Sequence, residues 1–287
     1  MPDSPDASRS GSFLIGGDLP VHRLGFGAMR ITGEGVWGPP ADRDAAIATV
    51  RRAVELGTTL IDTADSYGPD VSEEILGEAL APYPDDVVIA TKAGWDRPGP
   101  GVWIPHGDPG HITQACEGSL RRLRLDVIPL FQMHTPDPDV PYEESVGACA
   151  ELQAAGKIRH IGLSNVDVDQ LRRAQAITTV TTVQNRYNLT DRSSQDVLDV
   201  CTAEGIGFIP WAPLAAGEDE RPDALGAAAD RLGATAGQVA LAWLLGHSPV
   251  MLPIPGTGSA AHVAENIAAA GLELTDDERS ALDAVAS

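Results

Sequence analysis

From about residue 23 onward, short apolar runs alternate with amphipathic stretches. Eight runs read as strands: "RLGFGAM" (23–29), "TTLIDTA" (58–64), "VVIATKAG" (87–94), "VIPLFQMH" (127–134), "RHIGLSN" (159–165), "TTVQNRYN" (181–188), "GFIPWAPL" (207–214) and "VMLPIPG" (250–256). The segments between them carry helical periodicity. "DRDAAIATVRRAVELG" sets Ile47, Val50, Val54 and Leu56 on roughly one face and ends in Gly57, a C-cap signal. "HITQACEGSLRRLRL", "YEESVGACAELQAAGK" and "QDVLDVCTAEG" behave alike, and "LTDDERSALDAVA" opens with Thr275 and Glu278 at capping-box spacing. Near-continuous apolar strands alternating with helices indicate a parallel sheet covered by helices. Eight strands in 287 residues favour a closed (β/α)8 TIM barrel over an open doubly wound sheet. "SFLIGGDLPVHRL" precedes the first strand and reads as a β-hairpin, expected to close the bottom of the barrel. The pattern predicts one domain over residues 12–287, preceded by a disordered tail over residues 1–11.

Composition narrows the class. An apolar fraction of 43% supports a large core, yet the longest apolar stretch is far too short to cross a bilayer. The N-terminal "MPDSPDASRSG" has no basic or apolar signal region, so no secretion signal is read and a cytoplasmic location is expected. Cys116, Cys149 and Cys201 are scattered in helical patterns. Their odd number and spacing argue against a disulfide framework or zinc site and for buried thiols. The formal net charge of −21 repels nucleic acid and anionic membranes, and both are set aside as partners. It also means that an anionic ligand needs a locally built site of backbone N–H groups, helix N-termini and a few cations.

In a barrel, chemistry collects where strands end. Here those ends are polar: Asp62 with Tyr67 beyond it, Lys92, His134, Ser164 with Asn165, Gln184 with Asn185, and Trp211. Each alone has a bland explanation, such as a turn-capping carboxylate, a structural histidine or a core tryptophan. Convergence of successive strand ends on one mouth weakens that explanation. Lys92 is one of only two lysines in an arginine-rich chain and directly follows "VVIAT". A buried ammonium needs a carboxylate partner and stabilises a neighbouring phenolate. Asp62 is therefore expected to hold Lys92 charged, and Lys92 to bring Tyr67 toward neutral pH as an acid/base group. His134 would orient a carbonyl oxygen or assist the proton transfer. Asp65 reads as a turn residue.

"LGFGAM", "IDTADSYG", "IATKAG", "FQMHTPD", "IGLSN", "VQNRYNL", "PWAPL" and "IPGTGSAAHVAENIAAA" resemble, in order and spacing, the signatures of the aldo-keto reductases. "GVWGPPADR" and the ending "GTGSAAHVAEN" are most similar to the bacterial branch with pyridoxal reductase-like enzymes. The resemblance implies NADPH/NADP+ bound without a Rossmann fold, with NADH less favoured. It also implies a tetrad of Asp62, Tyr67, Lys92 and His134, with Tyr67 giving the proton as a hydride reaches the carbonyl carbon. Ser164, Asn165 and Gln184 match the positions that hold the carboxamide, and Trp211 matches the aromatic that stacks on the nicotinamide. Gly27, Met29, Pro213 and Leu214 belong to the same cofactor set. So does the phosphate segment Gly256, Thr257, Gly258, Ser259 and His262, with Glu265 and Asn266 on the adenine side. Many members carry Lys and Arg where this chain has Gly256 and His262, leaving Ser259 and His262 as the polar groups for a 2′-phosphate.

Trp37, Trp95 and Trp103 fall in the loops expected to line a substrate pocket for a flat or moderately apolar carbonyl compound. The partner is a small-molecule carbonyl substrate, acted on by a monomer or small homo-oligomer. Two other functions fit some of the same residues: a Schiff-base aldolase using Lys92, and a non-catalytic nucleotide-sensing subunit. A metal site is not expected, since no H-x-H or clustered His/Cys ligands stand at strand ends.

Overall fold

The computed structural model describes residues 4–214 and 223–286. A hairpin of β1 (Ser12–Ile15) and β2 (Leu19–His22) comes first, turning through Gly16 and Gly17 at φ of 62° and 83°, a left-handed geometry suited to glycine. Seven strands then form one sheet: β3 (Phe26–Gly27), β4 (Leu60–Asp62), β5 (Val88–Ala93), β8 (Ile128–Met133), β9 (Ile158–Ser164), β10 (Val180–Gln184) and β11 (Gly207–Phe208). They are parallel and adjacent in that order. A second small hairpin, β6 (Trp95–Asp96) with β7 (Ile104–Pro105), stands above the C-terminal end of β5.

The eighth run, 250–256, is not a regular strand. It closes the cylinder nonetheless. Phe208 N–H donates to Val250 O and Leu252 N–H to Phe208 O, both at 2.8 Å. On the other side, Gly25 N–H donates to Pro253 O (2.9 Å) and Gly27 N–H to Pro255 O (3.4 Å). Pro253 and Pro255 have no N–H to return, so this segment pairs through isolated bridges instead of a ladder. The architecture is the (β/α)8 barrel.

The helices are α1 (Arg43–Glu55), α2 (Val71–Leu80), α3 (Pro109–Leu123), α4 (Tyr142–Ala154) and α5 (Val168–Gln175), then α6 (Gln195–Glu204), α7 (Asp223–Leu232), α8 (Ala236–His247), α9 (Ala260–Ala268) and α10 (Asp276–Asp283). Thr275 and Glu278 form the expected capping box, and Gly57 follows α1 at φ 83°. No helix of the described residues is long and apolar enough to cross a membrane. The three cysteines are free and buried, and burial pushes each thiol up to about 12.

The first hairpin closes the bottom of the barrel as expected. Ile15, Leu19 and Val21 pack with Leu60, Val88, Leu130 and Leu252. Asp18 in its turn meets Arg159 Nη2 at 2.6 Å and His160 Nε2 at 2.7 Å, at the start of β9. The disordered tail needs correcting. Residues 7–10 form a single 3-10 turn capped by Asp6; Ala7 is buried and donates its N–H to Leu56 O at 2.8 Å. Ser10 Oγ accepts the Leu24 N–H at 2.9 Å. One apolar residue and two satisfied backbone groups are enough to pin a segment whose composition alone reads as disordered. Residues 1–3 lie outside the described residues.

Candidate active site

The strand ends meet around a buried charge. Lys92, with no exposed surface, donates from Nζ to Asp62 Oδ1 at 2.6 Å, to Thr63 O at 2.8 Å and to Tyr67 Oη at 3.3 Å. Those three bonds use all three ammonium hydrogens. Asp62 Oδ2 accepts from Gln184 Nε2 at 2.8 Å and Gln132 Nε2 at 3.1 Å. Gln132, midway along "FQMH", was not read as a site residue; alternation places it on the same inward face as His134. Burial alone pushes Lys92 down, but the Asp62 carboxylate and Tyr67 more than offset it, and the ammonium is held above its ordinary value.

Tyr67 departs from expectation. Burial raises its phenol above the ordinary 10, and the Lys92 charge only reduces that rise. In this structure the side chain is a protonated phenol, not one poised to lose its proton near pH 7. His134 Nδ1 lies 3.4 Å from Ser66 Oγ. Burial, then the Lys92 and Arg97 charges, hold its imidazole well below the ordinary 6.5. The folded state therefore refuses a proton that the unfolded chain accepts below that value, and stability is lost as pH falls from there toward the folded value. Urea midpoints are expected to drop more steeply between about pH 7 and pH 5 for the wild type than for His134→Asn. Equal slopes would refute this account of His134.

Above this centre is a cavity of about 680 Å³. Tyr67, Trp103, Trp95 and His134 all line it and form a closed cycle of edge-to-face contacts. Centroids are 6.5 Å apart for Tyr67–Trp103, 5.9 Å for Trp95–Trp103, 6.2 Å for Trp95–His134 and 5.9 Å for Tyr67–His134. The other flank carries Ser164, Asn165, Gln184 and Trp211, with Pro213 and Leu214 at its edge. Asn165 sits at φ 59°, a conformation Asn tolerates. It donates to His134 O at 3.0 Å and accepts from Trp211 Nε1 at 3.0 Å. One asparagine thus fixes the plane of the indole against the C-terminal end of β8. Gly27, Met29 and Gly256 complete the wall. A Cβ on Gly27 would come within 2.6 Å of Ile254 O, so only glycine permits this approach of the two closing segments.

Not every expected residue lines the cavity. Trp37 does not; it lies 5.7 Å from the Arg97 guanidinium and packs loops together. Thr257, Gly258, Ser259, His262, Glu265 and Asn266 continue from Gly256 into α9, beyond the cavity wall. There Ser259 N–H donates to Thr257 Oγ1 and Ser259 Oγ caps His262 N–H, while the N–H groups of Gly258 and Ala260 meet no acceptor among the described residues. Two cations missed in the sequence line the cavity. Arg30 lies against Gly256 and Gly258 and pairs with no carboxylate among the described residues. Arg186 packs 5.4 Å from the Trp211 ring and pairs with Asp191 at 2.6 Å. The basic residue in "AMR" directly after the first strand was the available signal. Asp65, expected in the turn, is buried with Oδ1 unpartnered, and burial, then Glu73, raises its carboxyl well above the ordinary value.

Asp96, His106 and His111 bring ligand-type atoms within 4.8 Å of one another beside the second hairpin. The two imidazoles stack at 3.8 Å and 16°, so one ion cannot lie in both ring planes in this arrangement. His106 Nδ1 instead meets Asp96 Oδ2 at 2.9 Å, a clasp on the hairpin base.

The sequence profile of the Aldo/keto reductase family matches residues 23–287. An uncharacterized oxidoreductase of Schizosaccharomyces pombe is 47% identical over 279 residues, covering 97% of this chain and 90% of that protein. The pyridoxine 4-dehydrogenase of Escherichia coli is 42% identical over 282 residues, covering 96% of this chain and 98% of that one. The crystal structure of an aldo/keto reductase from Klebsiella pneumoniae in complex with NADP and acetate superposes with a TM-score of 0.80 at 30% identity, covering 95% and 94% of the two chains. The chain belongs to the aldo/keto reductase family and is an oxidoreductase of carbonyl compounds.

Proposed function

We propose that this protein reduces a flat, aromatic aldehyde to its alcohol with NADPH, Tyr67 donating the proton. The observation that carries the proposal is the closed ring of Tyr67, Trp103, Trp95 and His134 above a buried ammonium. Two indoles grip a planar substrate while the phenol and imidazole face its carbonyl oxygen. The protonated phenol suits the reductive direction, since the acid must carry its proton when the substrate binds. Asp62, in the cavity floor, and Lys92 behind it act on Tyr67, and neutral His134 orients the oxygen.

NADPH is the cofactor, and the donor set fits it. Gln184 spends Nε2 on Asp62 and keeps Oε1 without a partner among the described residues, beside Ser164. A hydroxyl and an amide oxygen match a carboxamide, and Trp211 offers a flat face. The bound cofactor supplies the hydride. Free N–H groups at the start of α9 and the Arg30 guanidinium suit its phosphates, with Ser259 and His262 beyond them. Glu265 and Asn266 stand on the adenine side. Lys92 is a poor Schiff-base nucleophile here, because Asp62 keeps it protonated. The protein works as one domain that includes the turn at residues 7–10, in the cytoplasm, as a monomer or small homo-oligomer.

A carbonyl panel that includes pyridoxal, followed by NADPH absorbance, tests the reading; no turnover of any aromatic aldehyde would defeat it. NADPH is expected to bind more tightly than NADH. Arg30→Ala should weaken NADPH about tenfold, the worth of one charge-assisted hydrogen bond. A fluorescence titration with unchanged affinity would remove Arg30 from the site.

A further inference from the structure

Arg97 is buried at 8% exposure, yet it pairs with no carboxylate among the described residues of a chain holding 41 acidic residues. All its hydrogen bonds go to backbone carbonyls. Nη1 donates to Ser66 O at 2.9 Å, Nη2 to Val36 O at 3.1 Å and Gly35 O at 3.3 Å, and Nε to Val102 O at 3.0 Å. Its guanidinium lies 3.6 Å from the Trp103 ring centroid, with Trp37 beyond. Burying a cation is costly, and here carbonyl dipoles and indole faces stand where a counter-ion would be.

The carbonyls belong to three different loops. Val36 and Gly35 follow β3, Ser66 directly precedes Tyr67, and Val102 directly precedes Trp103. The first two loops also pair with each other, Gly38 N–H donating to Gly68 O at 2.6 Å and Gly68 N–H to Val36 O at 3.3 Å. A flat fork with five donors can serve three loops and stack at once; a lysine, with three donors on a point charge, cannot. We infer that Arg97 is a positioning residue for the reduction: it fixes the Tyr67 backbone and the Trp103 indole relative to each other, and so sets the shape of the aromatic box.

The inference rests on the reductase reading, but part of its test does not need turnover. Trp95 and Trp103 meet edge-to-face at 5.9 Å and 83°, a fixed asymmetric arrangement expected to give a near-ultraviolet circular dichroism band. Arg97→Ala should lose that band while keeping wild-type affinity for NADPH. With an aromatic aldehyde, KM should rise about tenfold and kcat fall at least as far, since small misplacement of reacting groups is expensive. Arg97→Lys should not restore either value, whereas added guanidinium ion should partly restore Arg97→Ala. An unchanged band, or wild-type KM and kcat in Arg97→Lys, would overturn the inference. If Arg97→Ala does not fold, Arg97→Lys alone decides it by the same two readings. A wild type without reductase activity would sink the reductase reading, and the band would still judge Arg97.

Discussion

Tyr67→Phe is expected to lower kcat about a thousandfold, within the range attributed to general acid–base catalysis, while NADPH binds as before. The change removes one oxygen and nothing else the box depends on. A phenyl ring keeps the edge contacts to Trp103 and His134. Lys92 loses its longest bond, at 3.3 Å, and keeps Asp62 at 2.6 Å and Thr63 O at 2.8 Å. Fold and charge centre therefore survive, and the loss falls on proton donation. Because burial raises the phenol above its ordinary value, wild-type kcat should show no fall with rising pH assignable to Tyr67 near neutrality. Stopped-flow NADPH oxidation with an aromatic aldehyde measures this. A variant within tenfold of wild type would transfer the acid role to another group.

Much of this centre is legible in the sequence, because it depends on residue type and position along a strand. Asp62, Lys92 and His134 stand where strands end, and a buried lysine demands a carboxylate. The parts that were not legible depend on distances between loops. Nothing in "AGWDRPGPGVW" announces that Arg97 will reach Gly35, Val36 and Ser66, residues that only the fold brings near it. Trp37 reads like Trp95 and Trp103 in sequence, yet it stands behind Arg97 and outside the cavity. The direction of the Tyr67 shift is not legible in the sequence for a related reason. Proximity to Lys92 could be inferred, but the depth of burial could not, and burial is the larger effect. The last barrel segment reads as a strand by apolarity; its two prolines carry the contrary information, since each deletes a ladder donor.

Lys92→Met should destabilise the protein by about 3–5 kcal/mol, the cost of leaving a buried charge without its partner. Methionine follows the lysine stem closely, so packing changes little. What remains is the Asp62 carboxylate at 1% exposure, facing only the amide hydrogens of Gln132 and Gln184. Adding Asp62→Asn removes the orphan charge and keeps an oxygen to accept from one of those glutamines. The double variant should regain more than half of the lost stability, although both variants lack the Lys92–Tyr67 contact and should reduce aldehydes poorly. Stability and activity thus part company, which separates the charge pair's role in folding from its role at the phenol. Urea unfolding of the wild type, Lys92→Met, Asp62→Asn and the double variant measures the coupling. A Lys92→Met protein within about 1 kcal/mol of wild type would mean that water or a rearranged glutamine reaches Asp62, and that the pair is not the closed, fully desolvated centre seen in the structure.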